Sequence, residues 1–258
     1  MTRTLHAEWT KLRTVAGPGA LLLAAAALTA VVGVIAANAV SCPGQACQVD
    51  PAKVSLFGIY LSQAVVAIVA VTAVSGEYST GMIRLTLAAM PRRWQVLAAK
   101  ATVVGAATLV TGAVAVLASV LAGGALLARH GFVPAHGYEA LSLGQGAVLR
   151  ATAGSVLYLG LIALLGLGVA AMVRDSAVAI GTVLGLLYLF PIVAGFIGDP
   201  AVQRHLDQVS PMTAGLYIQA TTDLRALPHT PWQGLGVLAA WAAGALLAGG
   251  LLLRFRDA

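Results

Sequence analysis

Six long apolar stretches, each almost free of charge, alternate with short polar segments: residues 17–40, 54–76, 101–128, 151–173, 177–198 and 232–253. At about 1.5 Å per residue, each is long enough to cross about 30 Å of hydrocarbon as a helix. A helix also satisfies its own backbone where no water is available. The pattern predicts an all-α, polytopic membrane protein of six transmembrane helices forming one domain over residues 1–258.

Two shorter amphipathic patterns flank these spans. Leu5, Trp9 and Leu12 recur at i, i+4 and i+7 before the first span, and Arg3, Glu8, Lys11 and Arg13 lie largely elsewhere around the helix. This predicts an interfacial helix with Trp9 at headgroup depth, or a basic tail that only fixes topology. Between the second and third spans, Ile83, Leu87 and Met90 form another apolar stripe that Pro91 ends, after Gly76 and Gly81. A two-turn helix lying on the inner membrane face accounts for it. Its stripe either lies on lipid, with Arg84, Arg92 and Arg93 at anionic headgroups, or docks into a cytoplasmic protein. The last loop, 199–231, is too long for a simple connection and is expected to hold a short helical or re-entrant piece.

Composition agrees with a lipid solvent: 59% of residues are hydrophobic and 9% charged, with a mean hydropathy of +0.91. An ordinary soluble domain carries about 25% charged residues. With the N-terminus inside, ten Lys and Arg face the cytoplasm and five the exterior, and the inner segments carry the whole net charge of +6. That asymmetry is the positive-inside rule, and it accounts for the net charge without a nucleic-acid partner. Both termini are expected on the cytoplasmic side of the plasma membrane. The first span is longer than a signal peptide's apolar core, so it is read as a retained helix despite the weak cleavage-box look of Ala39-Val40-Ser41-Cys42.

The chemistry present is sparse. There is no G-x-x-x-x-G-K-[ST] motif and no Gly-Lys dipeptide, so the phosphate-cradling loop of a P-loop ATPase is missing. The six stretches contain no Asp, Glu, Lys, Arg or His, which disfavours a self-sufficient ion-coupled carrier. Ser119, Ser155 and Thr111 lack a His or acidic partner within the stretches and are read as helix-packing hydroxyls, not catalytic groups. Asn38, Gln63, Thr72, Thr108, Ser155, Tyr158, Thr182 and Tyr188 mark either a pathway or interhelical hydrogen bonds. The Gly181–Gly185 spacing favours close helix approach. Cys42 and Cys47, bracketing Pro43-Gly44 in an outside loop, form either a disulfide or a pair of buried thiols. No metal site is expected, because no further ligands lie near them and the histidines are scattered.

The segment Glu77-Tyr78-Ser79-Thr80-Gly81-Met82-Ile83-Arg84, followed by Pro91-Arg92-Arg93 and Lys100, resembles bacterial type-2 ATP-binding-cassette (ABC) exporter permeases. Ala7-Glu8-Trp9-Thr10-Lys11-Leu12-Arg13-Thr14 looks like the amphipathic start of actinobacterial members, and Ser210-Pro211-Met212-Thr213-Ala214-Gly215 is similar to a stretch of their last outside loop. The resemblance covers the six-span plan through short motifs. It implies a permease that pairs with a second copy or a related permease and with cytoplasmic ABC ATPase subunits. It implies no cofactor bound directly, with ATP and Mg on the partner ATPase. Glu77, Tyr78, Gly81, Ile83, Arg84, Leu87, Pro91, Arg92 and Arg93 would then form the ATPase-coupling segment, and Tyr60, Gln63 and Tyr188 would border the substrate path. The implied cargo is an amphiphile, a drug-like molecule or a lipid. Rival readings are a non-transport scaffold or sensor subunit, and a passive channel or ion-coupled carrier.

Overall fold

A computed structural model describes residues 2–42, 47, 49–79, 81–82, 93–139 and 141–255. The helices run α1 (Thr2–Thr14), α2 (Ala16–Ala39), α3 (Pro51–Ser55), α4 (Ile59–Ser79), α5 (Arg93–Arg129), α6 (Gly146–Val173), α7 (Ser176–Phe196), α8 (Pro200–Val209), α9 (Pro211–Leu216) and α10 (Pro231–Phe255). Among the described residues, α2, α4, α5, α6, α7 and α10 are long and apolar enough to cross a membrane, as the six stretches predict. The short helix expected on residues 83–90 lies outside the described residues.

Helix α6 is the axis of the bundle. It packs against α4, α5, α7 and α10, and 67% of its apolar window is buried, against 22% for α7. The peripheral helices turn large apolar side chains outward, among them Leu23 and Ile35 on α2, Leu189 and Phe196 on α7, and Leu247 on α10. In water each such side chain would forgo roughly 1.5–3 kcal/mol of burial, and lipid removes that penalty.

Without a hydrophobic drive between helices in lipid, close packing must hold them. At the α6–α10 contact, a methyl group on Gly168 would lie 2.5 Å from the carbonyl carbon of Ala245, and one on Gly249 would lie 2.8 Å from the Gly168 carbonyl oxygen. Only glycine permits that approach. A second close junction centres on Ser55 at the end of α3, where the Ser119 hydroxyl of α5 donates to the Ser55 carbonyl at 2.7 Å and reaches the Thr29 carbonyl of α2 at 3.3 Å.

Three span boundaries differ from the expectation. The second span begins at Ile59 rather than 54, because Asp50 accepts from the Ala52 and Lys53 amides and starts a separate short helix at Pro51. The third span extends back to Trp94 and the fourth back to Gly146, which brings Lys100 and Arg150 inside span helices. Glu77 likewise belongs to the second span helix, Ile59–Tyr78. The long apolar helices therefore do carry ionisable residues, and their absence no longer argues against an ion-coupled carrier. An unpaired charge ends an apolar run in the sequence, whereas a partnered charge lets the helix continue through it.

The last loop contains the expected helical piece. Ser210 caps α9 by accepting from the Thr213 amide at 3.3 Å, and Pro211 occupies the first helical position, where its missing N–H costs nothing. Met212, Ala214, Gly215 and Leu216 are buried, and α9 packs on α10, α7 and α6.

Candidate functional site

Four charged side chains from three helices meet at the end of the bundle where α1 lies. Lys100 of α5 donates to Glu77 of α4 at 2.6 Å and to Glu8 of α1 at 2.8 Å. Lys11, one turn after Glu8, closes the ring by donating to Glu77 at 2.7 Å and to Glu8 at 2.8 Å. Lys100 also donates to the Ala73 carbonyl at 3.1 Å. The side chains of Glu8, Glu77 and Lys100 are 6%, 8% and 4% exposed, and Lys11 is the open corner at 34%. Two positive and two negative charges make the quartet neutral. That balance is what allows three of them to leave water, since a lone buried charge is costly. Burial works against the Lys11 ammonium, but its hydrogen bonds and charge pairing with Glu77 and Glu8 outweigh this and raise its pKa above the ordinary lysine value.

This arrangement fixes which face of α1 meets the bundle. Its inward face carries Thr4 and Glu8, with Leu12 partly packed on the core, whereas Leu5 is half-buried and Trp9 exposed. The apolar stripe does not set the docking; the ion pairs do. A cavity of about 290 Å³ adjoins the quartet, walled by Leu12, Val15, Thr72, Val103 and Val104.

The end of α4 is held from its other side as well. The guanidinium of Arg174, after α6, lies 5.4 Å from the centre of the Tyr78 ring, within range of a cation–π attraction. The Ser176 hydroxyl at the start of α7 donates to that of Ser75 at 2.8 Å. Gly81 has φ of 69°, a left-handed conformation that suits glycine two residues beyond the helix.

The three residues expected along a substrate path are brought together around a packed polar node. Gln63 and Tyr158 are fully buried, and the Tyr158 hydroxyl donates to Gln63 Oε1. Gln63 Nε2 contacts the Tyr60 carbonyl at 3.1 Å and Met212 Sδ at 3.3 Å, and the Tyr188 hydroxyl donates to the Tyr60 carbonyl at 2.6 Å. The node ties α4, α6, α7 and α9. Most other polar span residues bond locally: Thr72 to Ile68, Thr182 to Val178 and Asn38 to Val34. This is the packing role that hydroxyls and amides have in membrane helices. Gly181 and Gly185 have open space where a side chain would point.

At the opposite end, Cys42 and Cys47 are joined by a disulfide. Beside it, the carboxylate of Asp50 accepts from both the amide and the hydroxyl of Thr221 at 2.6 Å, so one side chain caps α3 and anchors the loop after α9. Among the described residues, no cluster of His, Cys, Asp or Glu could hold a metal ion.

Of the coupling residues expected from the sequence, Glu77, Tyr78 and Gly81 are placed as above, and Arg93 opens α5. Ile83, Arg84, Leu87, Pro91 and Arg92, and the side chain of Arg93, lie outside the described residues. The quartet itself was not anticipated. Its signal was available: Glu8, Glu77 and Lys100 each stand near a span end, two acids and a base in a chain with few charges. The sequence matches no protein-family model and no curated protein.

Proposed function

We propose that this chain is the membrane subunit of an ABC exporter in the plasma membrane, with both termini cytoplasmic. It moves an amphiphilic, drug-like or lipid substrate with ATP hydrolysed on a separate subunit. The observation that carries the reading is the quartet, which ties the ends of α4 and α5 to α1 on the side where the sequence gathers its basic residues. A permease needs such a braced end, because force from a cytoplasmic motor has to enter the spans as a unit. The six-span plan and the missing phosphate-binding loop support the same division of labour.

In this mechanism the partner ATPase binds at the connection between α4 and α5. ATP-driven closure of two ATPases shifts the ends of these helices, and a pair of permeases alternates between cavities facing opposite sides. The Gln63–Tyr158 node joins α4, α6, α7 and α9 beside Tyr60 and Tyr188, so these helices move together and carry the substrate-facing surface.

The test is a pull-down of the solubilised protein from its native membrane, against an Ile83→Asp, Arg84→Glu variant at matched expression. An ATPase that copurifies with the wild type and is lost from the folded variant supports the reading. No ATPase with either protein sinks it and moves the scaffold alternative ahead.

A further inference from the structure

We propose that Glu8, Lys11, Glu77 and Lys100 form an ionic clasp that makes α1 a working part of the force path, carrying displacement from the ends of α4 and α5 into α2. The transmission step rests on the exporter reading; the clasp itself does not.

The geometry has three parts. First, Glu8 and Glu77 share Lys100, with Nζ–Oε distances of 2.8 and 2.6 Å, so α1 is fastened to α4 and α5 at one point. Lys11 fastens it again to Glu77, one turn further along. Second, beside the clasp the inward contacts of α1 come from Thr4, which is buried, and Leu12, which packs partly on the core. A 13-residue helix is marginal alone, and Trp9 of its apolar stripe faces outward while Leu5 is only half-buried. Third, α1 and α2 are separated by the single extended residue Val15, with φ of −88° and ψ of 112°. Movement of α1 therefore passes to α2 through a link one residue long. Helix α2 is among the less enclosed spans, with 28% of its apolar window buried, so it has the freedom to respond.

The clasp also has a defined alternative. Released from Glu77 and Lys100, α1 can turn its Leu5, Trp9 and Leu12 stripe onto the membrane, as an amphipathic helix does. Glu8 and Lys100 are therefore positioning residues: they decide which of two faces α1 presents to the bundle.

The test uses two quadruple variants. E8Q/K11M/E77Q/K100M removes both members of each of the four pairs together, so no pair is left half-broken and the spans keep their fold. E8K/K11E/E77K/K100E inverts all four pairs. Amide hydrogen exchange is read on α1 and on the spans. The neutral variant is expected to speed exchange in α1 by roughly tenfold or more with the spans unchanged, and the inverted variant to restore part of that protection, since Glu at 100 rebuilds the ion pairs but not the bond to the Ala73 carbonyl. Unchanged α1 protection in the neutral variant overturns the clasp.

A second arm traps the copurified ATPase with ATP and vanadate. The wild type should change exchange at the ends of α4 and α5 and in α1 together; the neutral variant should keep the first response and lose the second. Survival of the α1 response overturns the transmission step. If the wild type carries no ATPase, the exporter reading and the transmission step fail together, and the nucleotide-free comparison still decides the clasp.

Discussion

Tyr158 on α6 donates its phenolic hydrogen to Oε1 of Gln63 on α4, and both side chains are completely buried. The amide is held at both ends, since its nitrogen reaches the Tyr60 carbonyl and the Met212 sulfur. In an apolar interior such a bond matters more for what its loss exposes than for its own strength.

Tyr158→Phe should therefore cost about 1–3 kcal/mol, because Gln63 Oε1 loses its donor without gaining water. Adding Gln63→Leu should cost less than the sum of the two single changes, since the stranded oxygen goes with it. Thermal unfolding of the four proteins in one detergent gives the comparison. Strict additivity would show that the bond does not couple α4 to α6.

Glycine at the α6–α10 contact gives a second expectation. Gly168→Ala places a methyl 2.5 Å from backbone atoms of Ala245 that cannot turn aside. It should force the helices apart and lower the melting temperature. Gly236→Ala on the same α10 meets nothing within 4 Å, and should be neutral or stabilise by about 0.5–1 kcal/mol, the usual helix preference for alanine over glycine. Equal effects at the two sites would mean that α6 and α10 are not in close backbone contact.

How much of this was legible in the sequence depended on whether a feature is local. The six apolar runs needed only length and composition, so they could be read directly, and the length of the last loop alone called for a helical or re-entrant piece. The bundle's ionic end could not be read this way, because Glu8 and Lys100 are 92 positions apart and only tertiary packing makes them neighbours. Asp50 is similar: its cap on α3 is local, but its bonds to Thr221 span 171 positions. The face that α1 turns to the bundle is tertiary in the same way, since an apolar stripe is visible in one sequence segment and a buried ion partner is not. Among the proposed site residues, Tyr60, Gln63 and Tyr188 came from the resemblance to exporter permeases, and the structure gathers them at one node.

Alkaline titration supplies a third prediction. Burial, then the charges of Asp207 and Tyr60, push the Tyr217 phenol up to about 12. A group whose folded pKa lies above its unfolded value of about 10 contributes stability that is complete below pH 10 and is lost as pH rises through the folded value. Lys11 behaves alike, because its folded pKa is also raised. Stability should thus be insensitive to these two groups at neutral pH and decline above about pH 10. Phenolate absorbance, compared with Tyr217→Phe, should show one tyrosine titrating near 12 in the wild type; a midpoint near 10 would place Tyr217 in water.

The last prediction separates the members of the quartet energetically. Lys100→Met leaves the carboxylates of Glu8 and Glu77 buried without the ammonium they share, and breaking a buried pair in this way costs roughly 3–5 kcal/mol. Glu77→Gln added to Lys100→Met leaves Glu8 and Lys11, which already pair at 2.8 Å, as a balanced couple. The double variant should therefore unfold later than Lys100→Met alone, although it has lost two charges instead of one. Glu77→Gln by itself removes one negative charge and leaves Lys100 on Glu8, so it should fall between Lys100→Met and the wild type. The order of the four melting temperatures decides the matter: if the double variant melts below both single variants, the two residues stabilise the fold independently and charge balance is not what keeps the quartet buried.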